Sequence, residues 1–494
     1  MSIVGYATRL GTERYFNRIY KTYPNIVSET WYKRINGIDF YPSSLGFGTY
    51  RVSYKDHEHI DALREALISG INVIDTASNY GDGSAEILVG NVLKELIDAK
   101  RIQRDEIVII TKAGYIQGKN LKLYLEKNFP ETVKLSNTLY HSIHPEFLEV
   151  QMETSLRRMG IDTIDVFLLH NPEYYLNVYG DQEIYLKRIE KALNFLEKKR
   201  EENLIRYYGI SSNTFSLPPE HRESTNLLKI LEIAPAGFKV IQFPANLLET
   251  GYKEHFFNGR SLLEIAQENR LWTISNRPFN VIFNNQLYRF ARLPVEPEEG
   301  EKNPESVMLY LEERLKDLEN QILKILSNKH FRFDEQYPSP FATLNYYKNY
   351  LQDPESVYSF LRTISLYLQK TVSYVRFLIL DDNQKKEQEK EIALKIFDAY
   401  LKTLNHALLF LPNYISYKNH LKMKHIEEEL SKLDKRLENL PLTLQILVIL
   451  LNDGIDTVLA GMRKITYVRQ LQKIFTIKIP SKKIIANSQL TFNL

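Results

Sequence analysis

Four side chains of types that act together in proton transfer occur at or near the ends of short apolar runs. Asp75 and Lys112 are the last residues of the runs INVID and EIVIITK. His170 directly follows IDVFLL, and Tyr80 lies five residues beyond Asp75 in TASNYGDGSAE. If these runs are neighbouring strands, they bring a carboxylate, a phenol, an ammonium and an imidazole to one site.

Reduction of a carbonyl group is the chemistry that these four groups allow. A free tyrosine has a pKa of about 10 and is a poor acid or base near neutral pH. A nearby ammonium stabilises the phenolate, so we expect Lys112 to lower the pKa of Tyr80. Asp75 would keep that ammonium charged and fixed. His170 would orient the carbonyl or relay a proton.

The sequence contains no cysteine. It therefore has no disulfide, no cysteine-ligated zinc or iron–sulfur cluster and no cysteine nucleophile. His141 and His144 form an isolated H-x-x-H pair in a predicted loop, and we predict no metal site there. Because no metal-binding motif is apparent, the hydride for carbonyl reduction has to come from an organic cofactor.

The elements that must position these groups are short apolar runs alternating with amphipathic stretches. Runs that are apolar at nearly every residue are typical of strands buried on both faces. Eight such strands, each followed by a helix, predict an α/β fold, a (β/α)₈ TIM barrel. An open doubly wound sheet is the alternative, but Arg51 in GFGTYR stands where its dinucleotide motif needs a third glycine. The runs that predict the strands lie at 45–50, 71–75, 106–112, 164–169, 205–210, 238–243, 271–275 and 456–461.

One interval after the seventh predicted strand shows only helical patterns, at 303–326, 353–380, 385–411 and 425–440. We predict an all-helical domain at 297–439, inserted into the barrel. The barrel then comprises 37–296 and 440–494, with an N-terminal arm at 1–36. Loops after barrel strands lie on the catalytic face. The insertion is therefore expected to border the site, or else to pack on the outside of the barrel or bind a protein partner.

Three stretches of the sequence resemble motifs of the aldo-keto reductase family. GINVIDTASNYGDGSAEILVG (70–90), ITKAGY (110–115) and SLRRMGIDTIDVFLLHNP (155–172) match the family's motifs in order and spacing. The resemblance covers roughly 37–292 and 440–494. It implies that Asp75, Tyr80, Lys112 and His170 form the family's catalytic tetrad, with Tyr80 as the general acid.

The resemblance also implies NADPH as the cofactor, bound extended across the barrel mouth, with NADH as the alternative. Ser211, Ser212 and Gln242 match positions that hold the nicotinamide carboxamide, and Arg463 matches a contact to the 2′-phosphate. Asn276 falls near the position where many members stack an aromatic ring, and Leu471 falls where an asparagine often holds the adenine. These departures leave the preference between NADP and NAD open. The residues matched to cofactor contacts are Ser211, Ser212, Gln242, Asn276 and Arg463.

Composition narrows the classes of protein that this chain can be. It has 494 residues, with 64 basic and 61 acidic side chains and a formal net charge of +3, which does not suggest a dedicated nucleic-acid binder. The strongest apolar run, at 444–451, is too short to span a bilayer. The first 16 residues lack the apolar region of a signal peptide. We expect a cytoplasmic protein with no nucleic-acid or membrane partner.

The sequence thus favours an NADPH-dependent reductase that transfers a hydride from the nicotinamide to the carbonyl carbon of a small molecule. The alternative is a nucleotide-sensing regulatory or scaffold protein whose helical insertion binds a protein partner. Sugars, steroids, quinones and small aldehydes all remain as substrate classes, and the oligomeric state is open.

Overall fold

The eight apolar runs form a closed parallel barrel in the computed structural model, which describes residues 2–283, 286–292, 303–351, 354–382, 385–480 and 484. Consecutive barrel strands pair in parallel, and the last strand pairs with the first to close the ring. The predicted (β/α)₈ barrel is confirmed. Its strands are β1 (Leu45–Gly48), β2 (Val73–Asp75), β3 (Val108–Ala113), β4 (Ile164–His170), β5 (Ile205–Ser211), β6 (Phe238–Pro244), β7 (Trp272–Asn276) and β8 (Thr457–Gly461).

Helices follow the barrel strands, and the chain between β7 and β8 adds a further group of them. In chain order they are α1 (Arg9–Thr22), α2 (Ser28–Trp31), α3 (His57–Ile68), α4 (Ser84–Asp98), α5 (Lys119–Lys127), α6 (Pro145–Met159), α7 (Tyr174–Tyr179), α8 (Gln182–Glu201), α9 (Leu227–Ile233), α10 (Leu262–Glu268), α11 (Pro304–Ile325), α12 (Pro340–Tyr350), α13 (Pro354–Leu380), α14 (Glu387–Leu433), α15 (Leu442–Asp453) and α16 (Ile465–Leu471). A small antiparallel sheet after β3 is formed by Tyr115–Ile116, Val133–Lys134 and Tyr140–His141.

The strand register brings the predicted chemistry to one end of the barrel. Asp75 pairs with Gly48 of β1, and His170 pairs with Ser211 of β5. Because parallel strands run in the same direction, their C-terminal ends form a single rim. Below that rim, apolar side chains from the strands fill the barrel interior, among them Val108 and Leu168.

The segment before β1 closes the opposite, N-terminal end of the barrel. Ala7, Ile38 and Phe40 are buried in the same apolar cluster as the inward-facing strand residues. The main-chain N–H of Ala7 donates a hydrogen bond of 2.6 Å to Oδ1 of Asp165 on β4. The phenol of Tyr15 on α1 donates to the main-chain oxygen of Leu67 at 3.0 Å. This N-terminal segment is therefore an integral part of the barrel unit.

The chain divides into two units. The barrel unit comprises Met1–Phe279 and the chain from Leu433, and the helical unit comprises Asn280–Lys432. The helical unit contains α11 to α13, most of α14 and an antiparallel hairpin of Asn280–Phe283 and Gln286–Arg289. Leu315 and Phe397 are among the side chains of its own apolar core. The predicted boundary at 296/297 lies outside the described residues.

One detail of the helical prediction is wrong. The structure contains one continuous helix, α14, where separate helices were expected at 385–411 and 425–440. Pro412 lies inside it, although an internal proline costs about 3 kcal/mol or more. Buried side chains on both sides of the proline, including Phe397 and Ile415, pack into the same core. Packing of both halves on one core explains why the helix does not end there.

Within the described ranges, no helix is both long enough and apolar enough to cross a membrane.

Candidate active site

A buried ion pair lies at the C-terminal rim of the barrel. Nζ of Lys112 donates to Oδ2 of Asp75 at 2.6 Å and to the main-chain oxygen of Thr76 at 2.8 Å. Lys112 is fully buried and Asp75 is nearly so. Burial lowers the pKa of Lys112, while the charge and the hydrogen bond of Asp75 act in the opposite direction. Asp75 therefore opposes the effect of burial on the ammonium.

Tyr80 reaches this ion pair from a tight 3₁₀ turn, Tyr80–Gly83, between β2 and α4. Gly81, Asp82 and Gly83 have φ angles of +54°, +58° and +89°. This left-handed backbone places the Tyr80 hydroxyl 3.5 Å from Nζ of Lys112. The same Nζ lies 5.0 Å from the centre of the Tyr80 ring. Phenol and ammonium are thus in direct contact.

The expected lowering of the Tyr80 pKa does not appear in this structure. Burial raises the pKa of Tyr80 well above 10.0, and the negative charge of Asp75 adds to the rise, followed by Tyr50. Burial outweighs the effect of Lys112, whose charge is partly offset by Asp75 at 2.6 Å. Tyr80 is therefore protonated at neutral pH, the form that a general acid needs.

His170 is the fourth predicted catalytic residue at this rim. Its ring lies edge-on to the ring of Tyr80, with 5.8 Å between the centres. Burial, followed by the charges of Lys112 and His141, lowers the pKa of His170 well below 6.5. The imidazole is therefore neutral. Its Nδ1 is buried and meets no hydrogen-bond partner among the described residues. The structure thus brings all four predicted catalytic residues together.

Gln242 links the ion pair to the next strands around the rim. Its Nε2 donates to Oδ1 of Asp75 at 2.8 Å. Its Oε1 accepts from the hydroxyl of Ser211 at 2.9 Å and from Nδ2 of Asn276 at 3.2 Å. Three of the five predicted cofactor residues therefore form one hydrogen-bonded set with Asp75.

The donors and acceptors at this position fit a nicotinamide carboxamide. That group offers an NH₂ donor and a carbonyl acceptor. Oδ1 of Asn276 is a buried polar atom without a partner in the described part of the chain. Such an atom is costly unless a ligand or water satisfies it. Asn276 can therefore accept from the NH₂ of the carboxamide.

The same part of the chain matches a known family. The model of the Aldo/keto reductase family matches residues 44–250, which extend from β1 to beyond β6 and include Asp75, Tyr80, Lys112 and His170. Over residues 44–250 the chain is similar to the aldo/keto reductase family.

Individual relatives match the chain over limited lengths. The NADH-specific methylglyoxal reductase of Escherichia coli (strain K12) is 34% identical over 111 residues, 22% of this chain and 30% of that protein. Aldo-keto reductase YhdN of Bacillus subtilis (strain 168) is 27% identical over 238 residues, 47% of this chain and 57% of that protein. The chain thus spans less than two thirds of either relative. The structure of the glycerol dehydrogenase AKR11B4 from Gluconobacter oxydans aligns with a TM-score of 0.45 and 18% identity, covering 90% of each chain.

Two predicted cofactor residues, Ser212 and Arg463, lie outside the Gln242 set. The hydroxyl of Ser212 is within 3.1 Å of Thr214 Oγ1 and 2.9 Å of Thr225 Oγ1, in a buried hydroxyl cluster. Only its main-chain N–H contacts Gln242, donating to the main-chain oxygen at 2.9 Å. Arg463 is half-buried and lies between β8 and α16. Its contact with a cofactor remains a prediction.

Sequence reasoning missed Tyr115, which lies three residues beyond Lys112. Its ring centre is 4.7 Å from that of His170. Its hydroxyl accepts from Nδ2 of Asn171 at 2.6 Å and donates to the hydroxyl of Tyr174 at 3.2 Å. Its position just after a barrel strand was the available signal, because such positions face the catalytic rim.

His141 also belongs to the surroundings of His170. Its Nε2 lies 2.7 Å from the main-chain oxygen of His170, and burial lowers the pKa of His141 to about 4. His144 has a different task, because its Nδ1 accepts the N–H of Glu146 and caps α6. The described residues contain no group of three or more side chains suited to hold a metal ion.

Proposed function

We propose that the protein is an NAD(P)H-dependent reductase of aldehydes or ketones, with Tyr80 as the general acid. The observation that carries this proposal is the contact of Tyr80 with the buried Lys112–Asp75 pair at the barrel rim. A protonated phenol, a fixed ammonium and a neutral imidazole lie together there, next to polar groups suited to a carboxamide.

Each residue has a distinct task in this proposal. The bound dinucleotide supplies the hydride. Tyr80 donates its proton to the carbonyl oxygen as negative charge develops there, and Lys112 stabilises the resulting phenolate. Asp75 keeps the ammonium charged. The neutral imidazole of His170 donates an N–H to the carbonyl oxygen and orients it.

Gln242, Asn276 and Ser211 would hold the nicotinamide carboxamide through the atoms described above. Arg463 would contact the 2′-phosphate of NADPH, since a guanidinium binds phosphate oxygens through charge-assisted hydrogen bonds. The relative from Escherichia coli is named as NADH-specific. NADPH and NADH are therefore both cofactor candidates for this chain.

The test is a panel of aldehydes and ketones assayed with NADPH and with NADH. Tyr80→Phe should lower kcat by about 10²–10⁴, the usual contribution of general acid catalysis. Cofactor Kd should remain within about twofold, because the hydroxyl acts in the transition state and not on the cofactor. Tyr20→Phe, on the exposed face of α1, is the matched control.

Wild-type turnover by Tyr80→Phe would refute the assignment of the acid. Cofactor binding without turnover of any carbonyl would instead favour a nucleotide-sensing regulatory or scaffold role. In that case we would expect the helical unit to bind a protein partner.

A further inference from the structure

The geometry points to Arg158 on α6 as a positioning residue that holds the Tyr80–Gly83 turn against β3 and thereby sets the distance from Tyr80 to Lys112. This inference rests on the proposed function, because it concerns how the acid is held and not which groups react.

Arg158 contacts the chain just before the turn. Its Nη1 donates to the main-chain oxygen of Ser78 at 3.0 Å and to Oε2 of Glu86 at 3.0 Å. The Arg158 side chain is 15% exposed, and that of Glu86 is fully buried. The guanidinium of this largely buried ion pair thus binds the main-chain carbonyl of Ser78, two residues before Tyr80.

Glu86 connects the same ion pair to β3. Its other oxygen, Oε1, accepts from the hydroxyl of Thr111 at 2.7 Å. Thr111 is the residue directly before Lys112. The Arg158–Glu86 pair therefore bridges the chain that carries the acid and the strand that carries the ammonium.

Gly83 shows how closely the guanidinium approaches the turn. A Cβ built on Gly83 would lie 2.4 Å from Cζ of Arg158, so any side chain at this position would displace the guanidinium. Gly83 also has a φ of +89°, and the neighbouring Asp82 has +58°. Left-handed backbone is unfavourable at a non-glycine residue. Such a turn persists only when its surroundings hold it.

Main-chain contacts also join the two elements. The N–H of Ser78 donates to the oxygen of Lys112 at 3.0 Å, and Nζ of Lys112 donates to the oxygen of Thr76. These bonds fix the start of the turn. They hold Ser78 through its N–H, whereas Arg158 holds the main-chain oxygen of Ser78 from α6. Loss of the guanidinium is therefore expected to loosen the turn without breaking the bond between Ser78 and Lys112.

The experiment compares Arg158→Met and Arg158→Lys with the exposed neighbour Arg157→Met in the full-length protein. Arg158→Met should lower kcat at least about tenfold and leave cofactor Kd within about twofold, because it disturbs only transition-state geometry. Arg158→Lys should restore part of the rate, since an ammonium can pair with Glu86 but lacks the planar fork that serves two acceptors. Arg157→Met should match wild type.

A double-mutant cycle separates positioning from general support. If Arg158 acts through Tyr80, Arg158→Met should not lower the residual rate of Tyr80→Phe further. Equal fold losses in both backgrounds would overturn the inference. A Tyr80→Phe variant with full turnover would refute the proposed function itself. An inactive Tyr80→Phe beside a fully active Arg158→Met would refute only the positioning role.

Removal of Arg158 alone leaves a buried Glu86 carboxylate without its ion-pair partner, which can prevent folding. Arg158→Met combined with Glu86→Gln removes both charges and serves as the second variant, with its Tm and cofactor Kd measured alongside. If this variant folds and binds cofactor, a wild-type kcat would overturn the inference. A kcat loss that disappears in the Tyr80→Phe background would support it.

Discussion

Nε2 of Gln242 donates to Oδ1 of Asp75, while the other oxygen of the same carboxylate accepts from Lys112. Asp75 thus links the ammonium of Lys112, which contacts Tyr80, to the amide of Gln242, which is proposed to hold the cofactor. Because Asp75 offers one oxygen to each partner, a substitution of either partner should alter the hydrogen bond to the other. We therefore expect cofactor binding and turnover to be coupled through Asp75.

We expect Gln242→Leu to weaken cofactor binding and to lower kcat, each by about tenfold. The variant removes both the proposed carboxamide contact and a hydrogen bond to a carboxylate, which is typically worth about 1.5–3 kcal/mol. Isothermal titration with cofactor and steady-state kinetics check the two effects. Gln267→Leu, exposed on α10, is the control. A change in Kd without a change in kcat would contradict the coupling.

Lys112→Met should cost as much turnover as Tyr80→Phe. Without the ammonium, Asp75 is an unmatched negative charge beside the phenol, which raises the pKa of Tyr80 still further. Any basic limb of the pH–kcat/KM profile should therefore move to higher pH. Asp75→Asn should cost less, and Lys198→Met on α8 should change nothing. Profiles of Lys112→Met that overlay the wild type would show a purely structural lysine.

Arg463→Ala should raise the Kd of NADPH by about tenfold and leave that of NADH nearly unchanged. The guanidinium is expected to bind the 2′-phosphate, which only NADPH carries. Fluorescence titration with both dinucleotides measures the effect. Arg469→Ala on α16 is the matched control, since its side chain is 63% exposed. Equal losses for both cofactors would show that Arg463 supports the fold instead.

Glu173→Gln should stabilise the protein more at pH 8 than at pH 5. Glu173 is buried, its Oε1 accepts the N–H of Asn213 at 2.8 Å, and burial raises its pKa to about 7. An acid whose folded pKa is raised is protonated in the folded state at pH 5 and must be ionised at pH 8. Its cost to stability therefore grows as the pH rises from about 4.5 through about 7. Urea unfolding at both pH values measures the difference.

The matched control for this prediction is Glu190→Gln, since Glu190 is exposed on α8. The control should show the same change in unfolding free energy at both pH values. If Glu173→Gln behaves in the same way, the carboxyl of Glu173 titrates as an ordinary surface group.

The barrel strands, and the meeting of the four candidate catalytic residues at one rim, could be predicted from the sequence because each signal is local. Asp75 and Lys112 end apolar runs, and parallel strands carry such ends to one rim. The bond between Gln242 and Asp75 joins residues 167 positions apart, and no local pattern encodes it. The direction of the Tyr80 pKa shift depends on burial, which spacing does not reveal. The orientation of the Ser212 hydroxyl depends on Thr225, a partner from another segment.

Closure of the barrel by β1 and β8 has a consequence for synthesis of the protein. Leu45 pairs with Val458, so the helical unit at Asn280–Lys432 emerges from the ribosome before the first strand meets its last partner. Until then the outer edges of β1 and β7 carry unpaired main-chain groups that invite association with other chains. A barrel that assembles in chain order would pass through a seven-stranded open sheet. Chaperone dependence is then expected to be greatest while the helical unit is being translated.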